Sequence, residues 1–336
     1  MRASLPREQE DPFISGLQED RHVTTGFWFF VLLISNFCSR CAGVYSVLTD
    51  SESLIVNCPR LPDPAYAYNE TFARYYMTPI VAAVFGDSPE PCLRAQLPHV
   101  AYYKNIRVNC STDFPNVTCY GYTAWDSVEK AVIIAFEGTS SGYQMTDEIL
   151  SFFQEKVAFF DDGHLFKYFH DAFISLWDGG LERQVHTLKY QYPDYKLYIT
   201  GHSLGASIAT VAASYIVKWG RWSPNDVRIV TFGQPRTGDI DFAEWHDGVF
   251  RYSYRIVHQR DPVPHIPPVL GKDSVFHHRF EVWYNNNMTV GQPYTICPEA
   301  DGDYCSNKVI SGEAWEHMWY FDKDLGDWGA KGCPSS

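Results

Sequence analysis

Ser203 lies in Ile199–Ser207, written ITGHSLGAS, which contains the pattern G-x-S-x-G. A serine hydroxyl is a poor nucleophile near neutral pH. It becomes a good one when a histidine takes its proton and a carboxylate orients that histidine. The pattern alone decides little: ordinary glycine usage produces it in roughly one chain of this length in ten. Here it occurs twice, because Gly138–Gly142 (GTSSG) matches as well. Context separates the two. An attacking serine of this kind stands on a sharp turn between a buried strand and a helix that starts at once behind it, where the flanking glycines allow close approach. KLYIT precedes Ser203, an alanine-rich helical run follows, and Gly201 and Gly205 occupy the two tight positions. Ser140 also follows a strand, but QMTDEIL behind it is polar at first and begins late.

In sheet-and-helix enzymes with such an elbow the acid and then the base follow the serine in the chain. Asp261, in IVHQRDPVPHIPP, comes just past a strand, and Pro262 keeps it out of helical geometry, fixing a loop that can aim a carboxylate. The plain alternative is a turn-forming Asp-Pro. His277, His278 and His317 all lie downstream. The first two immediately precede the strand FEVWY, whereas His317 lies beyond it and can reach back over the sheet edge, so we take His317 as the base. His202, inside the elbow, reads as a packing residue directed away from Ser203.

Buried strands are needed to hold these groups. AVIIAF (131–136), LYIT (197–200), RIVTF (228–232), YRIV (254–257) and FEVWY (280–284) are short apolar runs of the kind that fill a sheet covered on both faces. Between them Leu181, Val185, Leu188 and Tyr192 recur at helical spacing, and LGASIATVAASYIV (204–217) is a long run with small residues. The alternation predicts a single α/β domain with a mostly parallel central sheet flanked by helices. Residues 44–75 are mixed and proline-bearing, and read as an extended lead-in.

The 336 residues are 45% hydrophobic and 16% aromatic, ample for a substantial core. A net charge of −13 excludes a phosphate-backbone binder and disfavours strongly anionic membranes. No H-E-x-x-H or comparable ligand pattern occurs, and no metal or other cofactor is expected. FWFFVLLISNF (27–37) is too short to span a bilayer but has the length of a signal-peptide core, and Cys41-Ala-Gly43 offers a cleavage site. The division is therefore residues 1–43 as an extension and 44–336 as the domain, with no transmembrane span left after cleavage. Sequons at Asn69, Asn109, Asn116 and Asn287 fit a secreted glycoprotein. Seven cysteines follow Gly43; Cys110/Cys119 and Cys297/Cys305 read as loop staples, and an odd count leaves one thiol without an internal partner.

Four blocks together, YPDYKLYITGHSLGASIA, VTFGQPRTGD (230–239), RDPVPHIPP and EHMWYF (316–321), resemble the class 3 lipases, over roughly residues 75 to 333. The resemblance implies an α/β-hydrolase fold, ester hydrolysis of lipids, and Ser203, Asp261 and His317 as nucleophile, acid and base. It gives the second G-x-S-x-G another role: Phe136-Glu-Gly-Thr139 matches the family's strand end F-R-G-S/T, so Thr139 and the Leu204 N–H would form the oxyanion hole. Glu137 stands where the family has arginine, a reversal of charge. The resemblance also implies an amphipathic lid over 141–153, with Met145, Ile149, Phe152 and Phe153 on one face. It further implies disulfides Cys92–Cys333, Cys110–Cys119 and Cys297–Cys305, leaving Cys58 unpaired. A phospholipase A1 or small-ester hydrolase on the same fold is the nearest alternative, and a catalytically silent lipid-carrying or storage protein the alternative of another class.

Overall fold

The computed structural model describes residues 59–110, 117–138, 153, 155–269, 275–302, 305–309, 312 and 314–335. The apolar segment 27–37 with its cleavage site, Cys58, Asn116, Thr139, Ser140, Met145, Ile149 and Phe152 lie outside them.

Eight strands form the central sheet: β1 (Val100–Asn109), β2 (Thr118–Asp126), β3 (Ala131–Phe136), β4 (Lys196–His202), β5 (Val227–Phe232), β6 (Tyr252–His258), β7 (Glu281–Tyr284) and β8 (Thr295–Cys297). Their order in space follows their order in the chain. β3 to β7 are parallel throughout, while β1, β2 and β8 extend the sheet antiparallel at its two edges. All five apolar runs read from the sequence are strands. β3 shows why it is apolar without alternation: Val132, Ile134 and Phe136 enter one core, and Ala131, Ile133 and Ala135 enter the core on the opposite face.

Two of the helices follow the predicted periodicity. One, α1 (Glu182–Gln191), buries Val185 and Leu188 just after buried Leu181. The other, α2 (Leu204–Lys218), is buried along almost its whole length. Its small residues have a steric purpose, since α2 starts in direct contact with two strands. A methyl group on Gly201 would lie 2.1 Å from the Gly205 carbonyl oxygen, and one on Gly205 would lie 2.5 Å from the carbonyl oxygens of both Phe136 and Glu137.

The structure corrects one expectation. The lead-in is not extended to residue 75: the backbone is helical from Glu70 through Phe85. The Asn69 side chain caps this segment by accepting the Phe72 N–H at 3.0 Å. Phe72, Tyr76, Ile80 and Ala83 then lie buried on one face, which overrides the prolines around it. Asn69, Asn109 and Asn287 stand in the described residues, and all three are exposed. The bonds Cys92–Cys333, Cys110–Cys119 and Cys297–Cys305 are present. The first ties the short helix Glu90–Gln96 to Cys333, 241 residues on, and the second closes the β1–β2 hairpin. Among the described residues no helix is long and apolar enough to cross a membrane.

Candidate active site

β4 ends at His202 and α2 begins at Leu204, so Ser203 takes the entire turn. Its backbone sits at φ 58° and ψ −129°, a conformation that costs a residue with a Cβ on the order of 1–3 kcal/mol. The surroundings hold it there: the Ser203 N–H donates to the Phe232 carbonyl at 2.9 Å, at the end of neighbouring β5. Ser203 is fully buried, and its Oγ has no hydrogen-bond partner among the described residues. Leu204, the first residue of α2, is buried beside it.

Asp261 follows β6 on a turn closed by its own N–H to the His258 carbonyl at 2.9 Å. His317 ends a short 3-10 turn, Ala314–His317, brought from the far end of the chain. The two side chains meet completely buried: His317 Nδ1 lies 2.9 and 2.8 Å from Asp261 Oδ1 and Oδ2. Nδ1–H therefore donates to the carboxylate, which leaves Nε2 as the acceptor. Burial alone would raise the Asp261 carboxyl. The His317 imidazole, its hydrogen bond, the Val263 N–H (2.9 Å) and the Tyr320 hydroxyl (2.8 Å) outweigh it and hold the group below the usual carboxylate range.

Gly233, directly after Phe232, links this pair to the elbow. A methyl group there would lie 2.7 Å from His317 Cε1 and 2.8 Å from Asp261 Oδ2, so the residue that follows the anchor of Ser203 packs on the His–Asp pair. Of the two links in a Ser–His–Asp chain the structure makes the second, and among the described residues both Ser203 Oγ and His317 Nε2 are buried without a hydrogen-bond partner. Such a gap is common before substrate binds.

Sequence reasoning missed the supports. Tyr320, three residues past His317, is the carboxylate's second side-chain donor, and its place in EHMWYF was the available signal. Glu316 ties the turn down: its carbonyl lies 3.1 Å from His258 Nδ1, and its carboxylate accepts the Arg260 N–H at 3.2 Å. His202 does more than pack. Its Nε2–H donates to the His317 carbonyl at 2.6 Å, and the two rings lie 4.4 Å apart. Phe153 packs on Phe166 with ring centroids 4.7 Å apart. A cavity of about 570 Å³ flanks the Asp261 loop, lined by Pro262, His265, Ile266, Val269 and Phe276 among others. The metal-like cluster found among the described residues, Glu281 with Cys297 and Cys305, has its cysteines locked in a disulfide and offers no thiolate.

The other two downstream histidines are engaged elsewhere. His277 Nε2 lies 2.7 Å from the Pro264 carbonyl, and His278 Nδ1 lies 2.8 Å from that of Arg279. The His278 ring stacks 3.9 Å from His246. Burial, and then neighbouring positive charge, holds all of these below the ordinary histidine range: His202 and His278 to about 3, and His246 and His277 well below 6.5. The unfolded chain takes up protons below pH 6.5 that these side chains refuse. The stability they supply is complete above that pH and is lost as pH falls toward their folded values. Asp247, raised by burial to about 6, offsets one of the four between pH 6 and 4. Urea midpoints are therefore expected to hold above pH 7 and to drop steeply between pH 6 and 5; equal midpoints would contradict this.

A buried parallel sheet, a strained serine between strand and helix, and a His–Asp pair beyond its carboxyl edge define an α/β-hydrolase. The model of the family Lipase (class 3) matches residues 133–271. Lipase ZK262.3 of Caenorhabditis elegans is 31% identical over 301 residues, which cover 80% of this chain and 84% of that one. Secreted mono- and diacylglycerol lipase 1 of Fusarium solani is 29% identical over 60% of this chain and 59% of its own length. The crystal structure of the lipase from Rhizopus microsporus var. chinensis superposes with a TM-score of 0.66 at 23% identity, covering 81% of this chain and 98% of the other. The chain belongs to the class 3 lipase family and is a carboxylic-ester hydrolase.

Proposed function

We propose that the protein is a secreted serine esterase that hydrolyses the ester bonds of acylglycerols through an acyl-enzyme. Ser203 attacks the carbonyl while His317 Nε2 takes its proton, and Asp261 stabilises the imidazolium so formed. The Leu204 N–H and Thr139 bind the oxyanion, one such donor contributing about 3 kcal/mol in the transition state. His317 then hands its proton to the departing alcohol, and water repeats the sequence on the acyl group. The observation that carries this reading is the buried His317–Asp261 pair packed on Gly233, the neighbour of the carbonyl that anchors Ser203.

Glycerolipids are favoured as substrates because a relative over 60% of the chain is a mono- and diacylglycerol lipase. Three disulfides support an oxidising route, and with it the division into a cleaved leader, residues 1–43, and a catalytic domain, 44–336. Glycans at Asn69, Asn109, Asn116 and Asn287 would follow from the same route. The stretch 141–153 would act as the lid.

A matched panel of triglyceride, diglyceride, phospholipid and soluble short-chain esters tests the reading. Glyceride hydrolysis is expected to exceed phospholipid hydrolysis and to jump at the concentration where substrate forms an interface. Preference for phospholipid would favour the phospholipase A1 alternative, smooth saturation would remove the lid, and no turnover at all would favour the silent carrier.

A further inference from the structure

The charge reversal at the end of β3 has a partner. Glu137 follows the strand with its side chain only 18% exposed, and its Oε2 lies 3.4 Å from Arg107 Nη1. Arg107 belongs to β1, faces Tyr120 in register on β2, and lays its guanidinium over that ring, 4.4 Å from the centroid. The Glu137 N–H donates to the Tyr120 carbonyl at 2.9 Å. Arg107, Tyr120 and Glu137 thus form one clamp across three strands, fixing both the backbone and the side chain of Glu137.

That backbone is what the elbow rests on. The Glu137 carbonyl is one of the groups that forces residue 205 to be glycine. At the next residue, Gly138, a methyl group would lie 2.2 Å from the His202 carbonyl oxygen and 2.8 Å from Ser203 Cβ. A shift of the strand end is therefore passed straight to the serine, with no side chain between to absorb it. Burial raises the Glu137 carboxyl and Arg107 opposes that, so without the cation a half-buried carboxylate would pull toward water and take the strand end with it.

We propose that Arg107 is a positioning residue for Ser203, its ion pair with Glu137 pinning the end of β3 against the nucleophile's turn. The proposal rests on Ser203 being the nucleophile. A pair this exposed on the arginine side contributes little to folding stability. Its effect belongs in the rate, because small displacements from attack geometry slow a reaction steeply.

The test measures kcat and KM on a soluble short-chain ester, with active sites counted by an ester-mimicking phosphonate and melting temperature followed in parallel. Arg107→Glu and Glu137→Arg are each expected to lower kcat about tenfold while KM stays within about twofold. The double variant, which restores the pair with its charges exchanged, is expected to recover most of the loss. Single variants with kcat within twofold of the parent, or a double variant as slow as the slower single, would overturn the proposal. Should either single variant fail to fold, Arg107→Gln, which removes the charge without adding repulsion, is expected to lower kcat about threefold; unchanged kcat there overturns it equally. Failure of the nucleophile reading shows separately, as ester turnover surviving in Ser203→Ala.

Discussion

Ser203→Ala is expected to lower kcat/KM by about 10⁴- to 10⁶-fold on every ester the protein hydrolyses, with the fold unchanged. The rate falls because the acyl-enzyme of the proposed mechanism forms on this hydroxyl. The fold survives because Ser203 Oγ makes no hydrogen bond among the described residues that the substitution would break. The strain of the turn comes from a Cβ at φ 58°, which alanine keeps. Steady-state kinetics with a thermal melt check both halves. Loss of less than tenfold would mean that attack begins elsewhere; a loss accompanied by unfolding would make Ser203 a structural residue.

Asp261→Asn is expected to cost about 10⁴-fold in kcat with little change in KM. The carboxylate accepts His317 Nδ1–H with both oxygens and so fixes the proton on that nitrogen. The surrounding donors dictate how an amide would sit. The Val263 N–H can only donate and faces the Oδ1 position, so the amide oxygen sits there; the NH₂ takes the Oδ2 position, where it donates to His317 Nδ1 and to the Tyr320 hydroxyl, which can accept as well as donate. The imidazole then accepts at Nδ1 and carries its proton on Nε2, where it can no longer take one from Ser203. A loss below about tenfold at neutral pH would show that Asp261 does not set the tautomer.

Much of this arrangement was legible in the sequence because each signal had a local physical cause. The apolar runs of β3 to β7 reflect burial on both faces, and the glycines around Ser203 reflect the contact between Gly201 and Gly205. Asp261 and His317 could be chosen by chain order and by their places relative to strands. The less legible parts depend on partners distant in the chain. β1, at the sheet edge, and β2, paired between it and β3, carry a polar and aromatic mixture with no clean alternation, so the ion pair of Arg107 with Glu137 was invisible from FEGT alone. Tyr320 looks like an ordinary core aromatic until Asp261 is placed beside it. His202 was read as packing only, because its hydrogen bond to the His317 backbone spans 115 residues. The lead-in helix was missed for a different reason: its prolines outweighed the Asn69 cap and the four-residue spacing of Phe72, Tyr76 and Ile80.

The most direct test is covalent labelling with an ester-mimicking phosphonate, followed by mass mapping of the proteolysed chain. One adduct per molecule is expected, on the peptide that carries Ser203, lost on boiling the protein before exposure and absent from His317→Ala at matched times. An adduct on Ser140 of the second G-x-S-x-G, or no adduct on protein that hydrolyses ester, would contradict the assignment of the nucleophile.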